Sequence, residues 1–139
     1  MKYIRNKNTI VLRLDPGEEL LESITETSKK ENIALAEVSA IGAVSSFSVG
    51  AYDVKEKRYI KNDFEGVYEI LSLSGNITKK DGEEYIHLHM CAANEKGEVC
   101  GGHLNRAVIS ATAEIFLNIH EFKVERRFDE NIGLNVFDF

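Results

Sequence analysis

Between residues 108 and 120 the apolar side chains Ile109, Ala111, Ala113, Ile115, Leu117 and Ile119 all fall on odd positions. Ser110, Thr112, Glu114, Asn118 and His120 fall on even ones, with Val108 and Phe116 as apolar exceptions. Period two belongs to an extended chain with one buried face, because successive Cβ atoms point to opposite sides. A helix would need apolar positions three and four apart. The segment is therefore expected to be a long strand, bent near its middle.

The same rule organises the stretch before it. Residues 68–78 alternate, with Ile70, Ser72, Ser74 and Asn76 on one side and Leu71, Leu73, Gly75 and Ile77 on the other. Asp81-Gly82 then predicts a hairpin, since both residues tolerate positive φ. Residues 84–93 return, and Asn94-Glu95-Lys96-Gly97 makes the next turn. Connections this short imply antiparallel neighbours in a meander. Residues 9–14, 35–44, 47–53 and 58–62 read as further strands, and residues 122–126 extend the sheet. The apolar tail Leu134, Val136, Phe137 and Phe139 is expected to dock on the body or on a neighbour.

One helix is written early in the chain. Asp15 is the expected N-cap, Pro16 the first helical residue, and Glu18 completes a pattern like a capping box. Leu20, Leu21, Ile24, Thr27 and Ser28 then recur at helical spacing to Lys30, with Asn32 as the stop. The expected fold is α+β: an antiparallel meander sheet with flanking α-helices, as a single domain over residues 1–139.

Composition narrows the function classes. Hydrophobic residues make up 43% and charged residues 29%, so the chain buries a core rather than staying disordered. A single proline and ten glycines leave no flexible linker. No apolar run is long enough for a bilayer, and the start carries no apolar signal core, so no membrane association and a cytoplasmic location are expected. Free Cys91 and Cys100 agree with a reducing compartment. The net charge of −6 opposes nucleic-acid binding, which depends on cations meeting phosphates. Lys55, Lys57, Arg58 and Lys61 cluster around a turn and read as a solvated loop.

The chemistry concentrates in Tyr85-Ile86-His87-Leu88-His89-Met90-Cys91. Residues two apart on a strand share a face, so His87 and His89 stand together while Ile86, Leu88 and Met90 point into the core. His103 follows one turn later, in Gly101-Gly102-His103-Leu104, and a hairpin over residues 94–97 would return it to the pair. The two glycines permit close backbone approach. Three neutral imidazoles with an open position suit Zn²⁺ in a catalytic-type site, or another divalent transition metal. His120 reads as a surface or hydrogen-bonded histidine. Cys91 shares the face of the pair but reads as a small buried thiol rather than a ligand. Glu114 is solvated on an open face, paired with Arg106 or Arg13, a partner behind a metal ligand, or a general base. Arg13, between Leu12 and Leu14, carries the same two kinds of reading; Glu114 and Arg13 are the catalytic candidates.

Taken together, these residues resemble the PPC family, the plants-and-prokaryotes-conserved domain. The likeness runs in order through Ile41-Gly42-Ala43-Val44, Gly50-Ala51-Tyr52-Asp53, residues 66–77, His87-Leu88-His89, Gly101-Gly102-His103-Leu104 and Thr112-Ala113-Glu114. It implies an antiparallel sheet with flanking helices, a homotrimer, and metal held by His87, His89 and His103, as in the prokaryotic histidine-bearing branch. Plant relatives join this domain to a basic AT-hook; no Arg-Gly-Arg-Pro tract occurs here, so direct DNA contact does not transfer with the domain. The H-x-H with a later histidine is also similar to the zinc triad of acetolactate decarboxylases. There the metal would polarise a carbonyl, with an arginine and a carboxylate nearby, and Arg13 and Glu114 are the residues to test. The expected function is a trimeric metal-binding protein that receives a small molecule or a protein partner. A metal-dependent enzyme on a small carbonyl or carboxylate compound and a DNA-binding regulatory protein are the alternatives.

Overall fold

The computed structural model describes residues 1–139. Eight strands and one helix follow in order: β1 Lys2–Asn6, β2 Thr9–Leu14, α1 Leu20–Glu31, β3 Ala36–Asp53, β4 Arg58–Lys80, β5 Glu83–Asn94, β6 Val99–Ile119, β7 Glu125–Asp129 and β8 Leu134–Asp138. No helix is long and apolar enough to cross a membrane.

The α+β class holds, but the sheet is mixed and only partly a meander. β4 pairs with β3 and β5 as hairpin logic requires, and β5 pairs with β6. β6 then turns back to pair with β3 and β2, which closes β3, β4, β5 and β6 into a circuit. β7 adds to β4 through a single parallel bridge between Lys79 and Glu125. One helix, not several, flanks the sheet, packing on β5 and β6. Alternation tells a strand from a helix but carries no address for a distant partner, so the non-local pairings were not legible.

The bent long strand is present, and its bend has a register. Gly42 lies opposite Ala113 and Val44 opposite Ile109, so β6 carries more residues than β3 across this stretch. Ala111 falls in the excess and is exposed, whereas Ile109, Ala113, Ile115 and Leu117 are buried. In β4 the expected alternation breaks. Ile70 and Leu73 are both buried and Leu71 is 52% exposed, because the register against β5 slips between Ile70 and Ser72. A bulge of this kind switches which parity faces inward.

The helix starts later than the sequence suggests. Gly17 has φ +88°, which takes residues 15–18 out of helical geometry. Glu18 still reaches back to the Asp15 N–H at 2.8 Å, but it closes a turn rather than a capping box. Glu19 is the actual N-cap: one carboxylate oxygen accepts the Glu22 N–H and the other the Ala107 N–H, both at 2.7 Å, which ties α1 to β6. Asn32 ends the helix in the left-handed region, as expected. Leu20 and Ile24 join Ile10, Leu12, Leu14, Phe47, Leu73, Ile77, Leu88 and Met90 in one core.

Candidate metal centre

β5 and β6 create the site through their register. His89 lies directly opposite His103 across the antiparallel pair, and His87 precedes His89 by two residues on the same face. Leu88 and Met90 alternate inward and are buried, which holds the histidines outward. The ring centroids are 5.2 Å apart for His87 and His89, 5.1 Å for His87 and His103, and 5.5 Å for His89 and His103. One nitrogen from each ring lies within 4.8 Å of the others, and the Nε2 atoms of His87 and His89 are 3.3 Å apart.

Backbone approach depends on glycine. A Cβ at Gly102 would lie 2.6 Å from the Gly50 carbonyl oxygen, and one at Gly101 would strike the Met90 carbonyl. A Cβ at Gly75 would fall well inside contact distance of the His87 carbonyl oxygen. Tyr59 lies edge-on to His103 at 6.0 Å between centroids, and its hydroxyl donates to the His103 carbonyl at 3.3 Å.

The donor set fits a transition-metal ion. A tetrahedral ion with metal–nitrogen bonds of about 2.0–2.1 Å separates its ligand nitrogens by about 3.4 Å. The His87–His89 separation already has this value, and rotation of the third ring closes the rest. Two of the three ligands, His87 and His103, also resist protonation. Burial, then the neighbouring charges of His103, Arg126 and His89, push His87 down from 6.5 to about 4. Burial and then His89 push His103 down as well.

That depression has a consequence for the metal-free protein. Between pH 6.5 and about 4 the unfolded chain binds a proton at His87 that the folded chain resists. Folding therefore loses stability as pH falls through this window, and His87 contributes no pH dependence above it, where both states are neutral. Melting temperatures of chelator-treated protein should fall more steeply across this range than those of His87→Gln. Parallel profiles would count against a desolvated His87.

The other candidates lie elsewhere. Glu114 and Arg13 face each other across β2 and β6, on the part of β6 that pairs with β2 rather than with β5. Arg13 pairs with Asp15 at 3.1 Å, Glu114 is exposed, and neither joins the histidine cluster. His120 sits beside Phe122 with Glu37 at 4.0 Å, also outside it. Cys91 is exposed rather than buried, because it shares the outward parity of His87 and His89. The basic residues flank the β3–β4 turn, where Lys57 donates to the Glu130 carbonyl at 2.9 Å and Lys61 pairs with Asp63 at 3.1 Å.

Sequence reasoning missed Arg126. Its guanidinium lies between the rings of Tyr85 and Phe137, 4.5 Å from each centroid. It donates to Thr78 Oγ1 at 2.8 Å, to the Asn135 carbonyl at 3.0 Å and to Asn76 Oδ1 at 2.9 Å. Asn76 is the register partner of His87. One Arg within Glu-Arg-Arg gave no signal of this placement.

Three imidazoles meeting on the outer wall of a closed strand circuit define a candidate transition-metal centre. The Plants and Prokaryotes Conserved (PCC) domain, the family resembled above, matches residues 1–121, and the chain belongs to it. A solved structure described as a metal-containing protein of Archaeoglobus fulgidus is 38% identical, with a TM-score of 0.88 over 99% of this chain and 97% of that one. A plant- and prokaryote-conserved protein of Pyrococcus horikoshii is 36% identical, with a TM-score of 0.87 over 99% and 94%. Among curated proteins, the bifunctional protein GlmU of Synechococcus sp. strain JA-3-3Ab is 32% identical over 125 residues, 88% of this chain. The chain spans only 19% of that relative's length. An acetolactate decarboxylase of Bacillus subtilis shares the fold alone, at 12% identity and a TM-score of 0.58 over 88% of this chain and 57% of that one.

Proposed function

We propose that the chain is a homotrimeric metal-binding protein whose centre, His87, His89 and His103, holds Zn²⁺ or another divalent transition metal and receives a small molecule or protein partner there. The observation that carries the reading is the convergence of three imidazole nitrogens within 4.8 Å. The metal-containing relative from Archaeoglobus fulgidus supports it. Three protein ligands leave a coordination position for an incoming group, and a metal there supplies Lewis acidity. This open position favours, as second reading, an enzyme acting on a small carbonyl or carboxylate compound. The trimer draws support from Ile41, Leu71 and Phe116, exposed apolar side chains that line one groove beside Glu114. Surface patches of this kind suit a subunit interface. The net charge of −6 and the turn location of the basic residues weigh against DNA.

Metal analysis joined to sedimentation tests both halves at once. The expected result is one ion per chain in a particle of three times the 15.6 kDa chain mass. Fewer than about one ion per three chains after gentle purification would overturn the metal half, since a neutral three-imidazole site should retain its ion. A monomer at micromolar concentration would overturn the other.

A further inference from the structure

Arg126 is the only charged residue among the buried ones, at 8% exposure. A guanidinium withdrawn from water needs a counter-charge or a cage of acceptors to offset its lost hydration. Here the acceptors are all neutral: Thr78, Asn76 and the Asn135 carbonyl. The nearby acids serve other cations. Asp129 and Asp138 pair with Arg127, and Glu84 pairs with Lys79. Two of the five N–H groups, one on each terminal nitrogen, have no protein acceptor.

The cation is also close to the histidines. Residues directly opposite each other in an antiparallel pair share a face, so Asn76 and His87 stand together on the outer wall. Arg126 bonds to Asn76 and is therefore one side chain away from His87. A dication held by three neutral imidazoles, with a guanidinium behind them, gathers three positive charges and no carboxylate. The hairpin of β7 and β8 that delivers Arg126 lies beyond the family match at residues 1–121.

We propose that Arg126 makes the three-histidine centre selective for a ligand bearing a carboxylate, acting as a fixed counter-cation one side chain behind His87. The inference rests on the metal reading above. Arg126 is a specificity residue and not a ligand of the ion. A carboxylate entering the open position neutralises part of the accumulated charge, which a neutral ligand cannot do.

The competing role is a plain staple that holds β7 and β8 against β4. Cobalt(II) substitution of the full-length chain separates the two, because its visible spectrum reports ligands entering the open position. Acetate and imidazole are titrated separately as the anionic and neutral probes. Arg126→Met should weaken acetate by about tenfold, the effect of removing one partly screened charge, and leave imidazole affinity within about twofold. Asn76→Asp places a carboxylate on the existing Nη2 donor, so it should weaken acetate similarly while the melting temperature is held or raised. Loss of acetate affinity in both variants supports the proposal. Loss only in Arg126→Met, with a lowered melting temperature, identifies a staple and overturns it. A normal cobalt spectrum with acetate affinity unmoved in both variants overturns it while leaving the metal reading intact. No cobalt spectrum in the unaltered protein overturns both.

Discussion

His89→Ala should empty the metal centre while leaving the fold intact. His89 has the central position: it faces His103 across β5 and β6 and lies beside His87 along β5. Its side chain is exposed, so truncation opens no core cavity. With two imidazoles left, zinc affinity should fall by on the order of 10³-fold, about 4 kcal/mol. The metal-free melting temperature should move by no more than about 2 °C, as expected for a surface truncation. His120→Ala is the matched control, because His120 lies outside the cluster beside Phe122. A competition titration against a chromogenic zinc chelator reads both variants. Zinc affinity within about threefold of the unaltered protein in His89→Ala would remove the three-histidine centre, since a lost ligand should be felt.

Why the histidines were legible and Arg126 was not follows from distance along the chain. His87 and His89 needed only the two-residue period of one strand, which is local. His103 needed one short turn, and the turn chemistry was explicit: Gly97 has φ +77°, and the Asn94 side chain accepts the Lys96 and Glu98 N–H groups at 3.0 Å. Arg126 reaches Asn76 and Thr78 from a strand that touches β4 at one parallel bridge. No local pattern encodes such a contact. The same limit hid the return of β6 to β2 and β3, which closes the circuit and shapes the core.

Other misreadings came from a single residue outvoting a pattern. Strict alternation puts Leu71 on the same face as Leu73, yet the slip between Ile70 and Ser72 turns Leu71 outward into the apolar groove. Asp15 and Pro16 carry good helix-start chemistry, but Gly17 at φ +88° interrupts them and Glu19 caps instead. For Glu114 and Arg13 the sequence left pairing with each other and a role at the site both open, because a polar residue on a strand carries no sign of its partner. Their register shows a separate pair on β2 and β6. The slip also exposes Leu71 next to Ile41 and Phe116, in the groove proposed above as a subunit interface.

Gly75→Ala should damage the fold and the centre together, through one added methyl group. Gly75 pairs with Val38 of β3 on one side and Leu88 of β5 on the other. The new Cβ would collide with the His87 carbonyl oxygen, a backbone atom that no rotamer change can move aside. β5 cannot retreat cheaply, since Leu88 beside it is fully buried in the core. Overpacking against a fixed backbone should cost about 3 kcal/mol, which lowers the melting temperature by on the order of 10 °C. Any retreat of β5 also carries His87 away from His103, so zinc affinity should fall by about tenfold or more. Gly82→Ala provides the contrast in the turn that joins the same two strands. Gly82 has φ +84° with nothing near the added Cβ, so its cost is backbone strain of about 1–2 kcal/mol and no loss of metal. Melting curves and zinc titrations of both variants decide the matter. If Gly75→Ala melts and binds zinc like Gly82→Ala, close packing of β4 on β5 does not position His87, and the register of β5 and β6 alone must hold the three rings together.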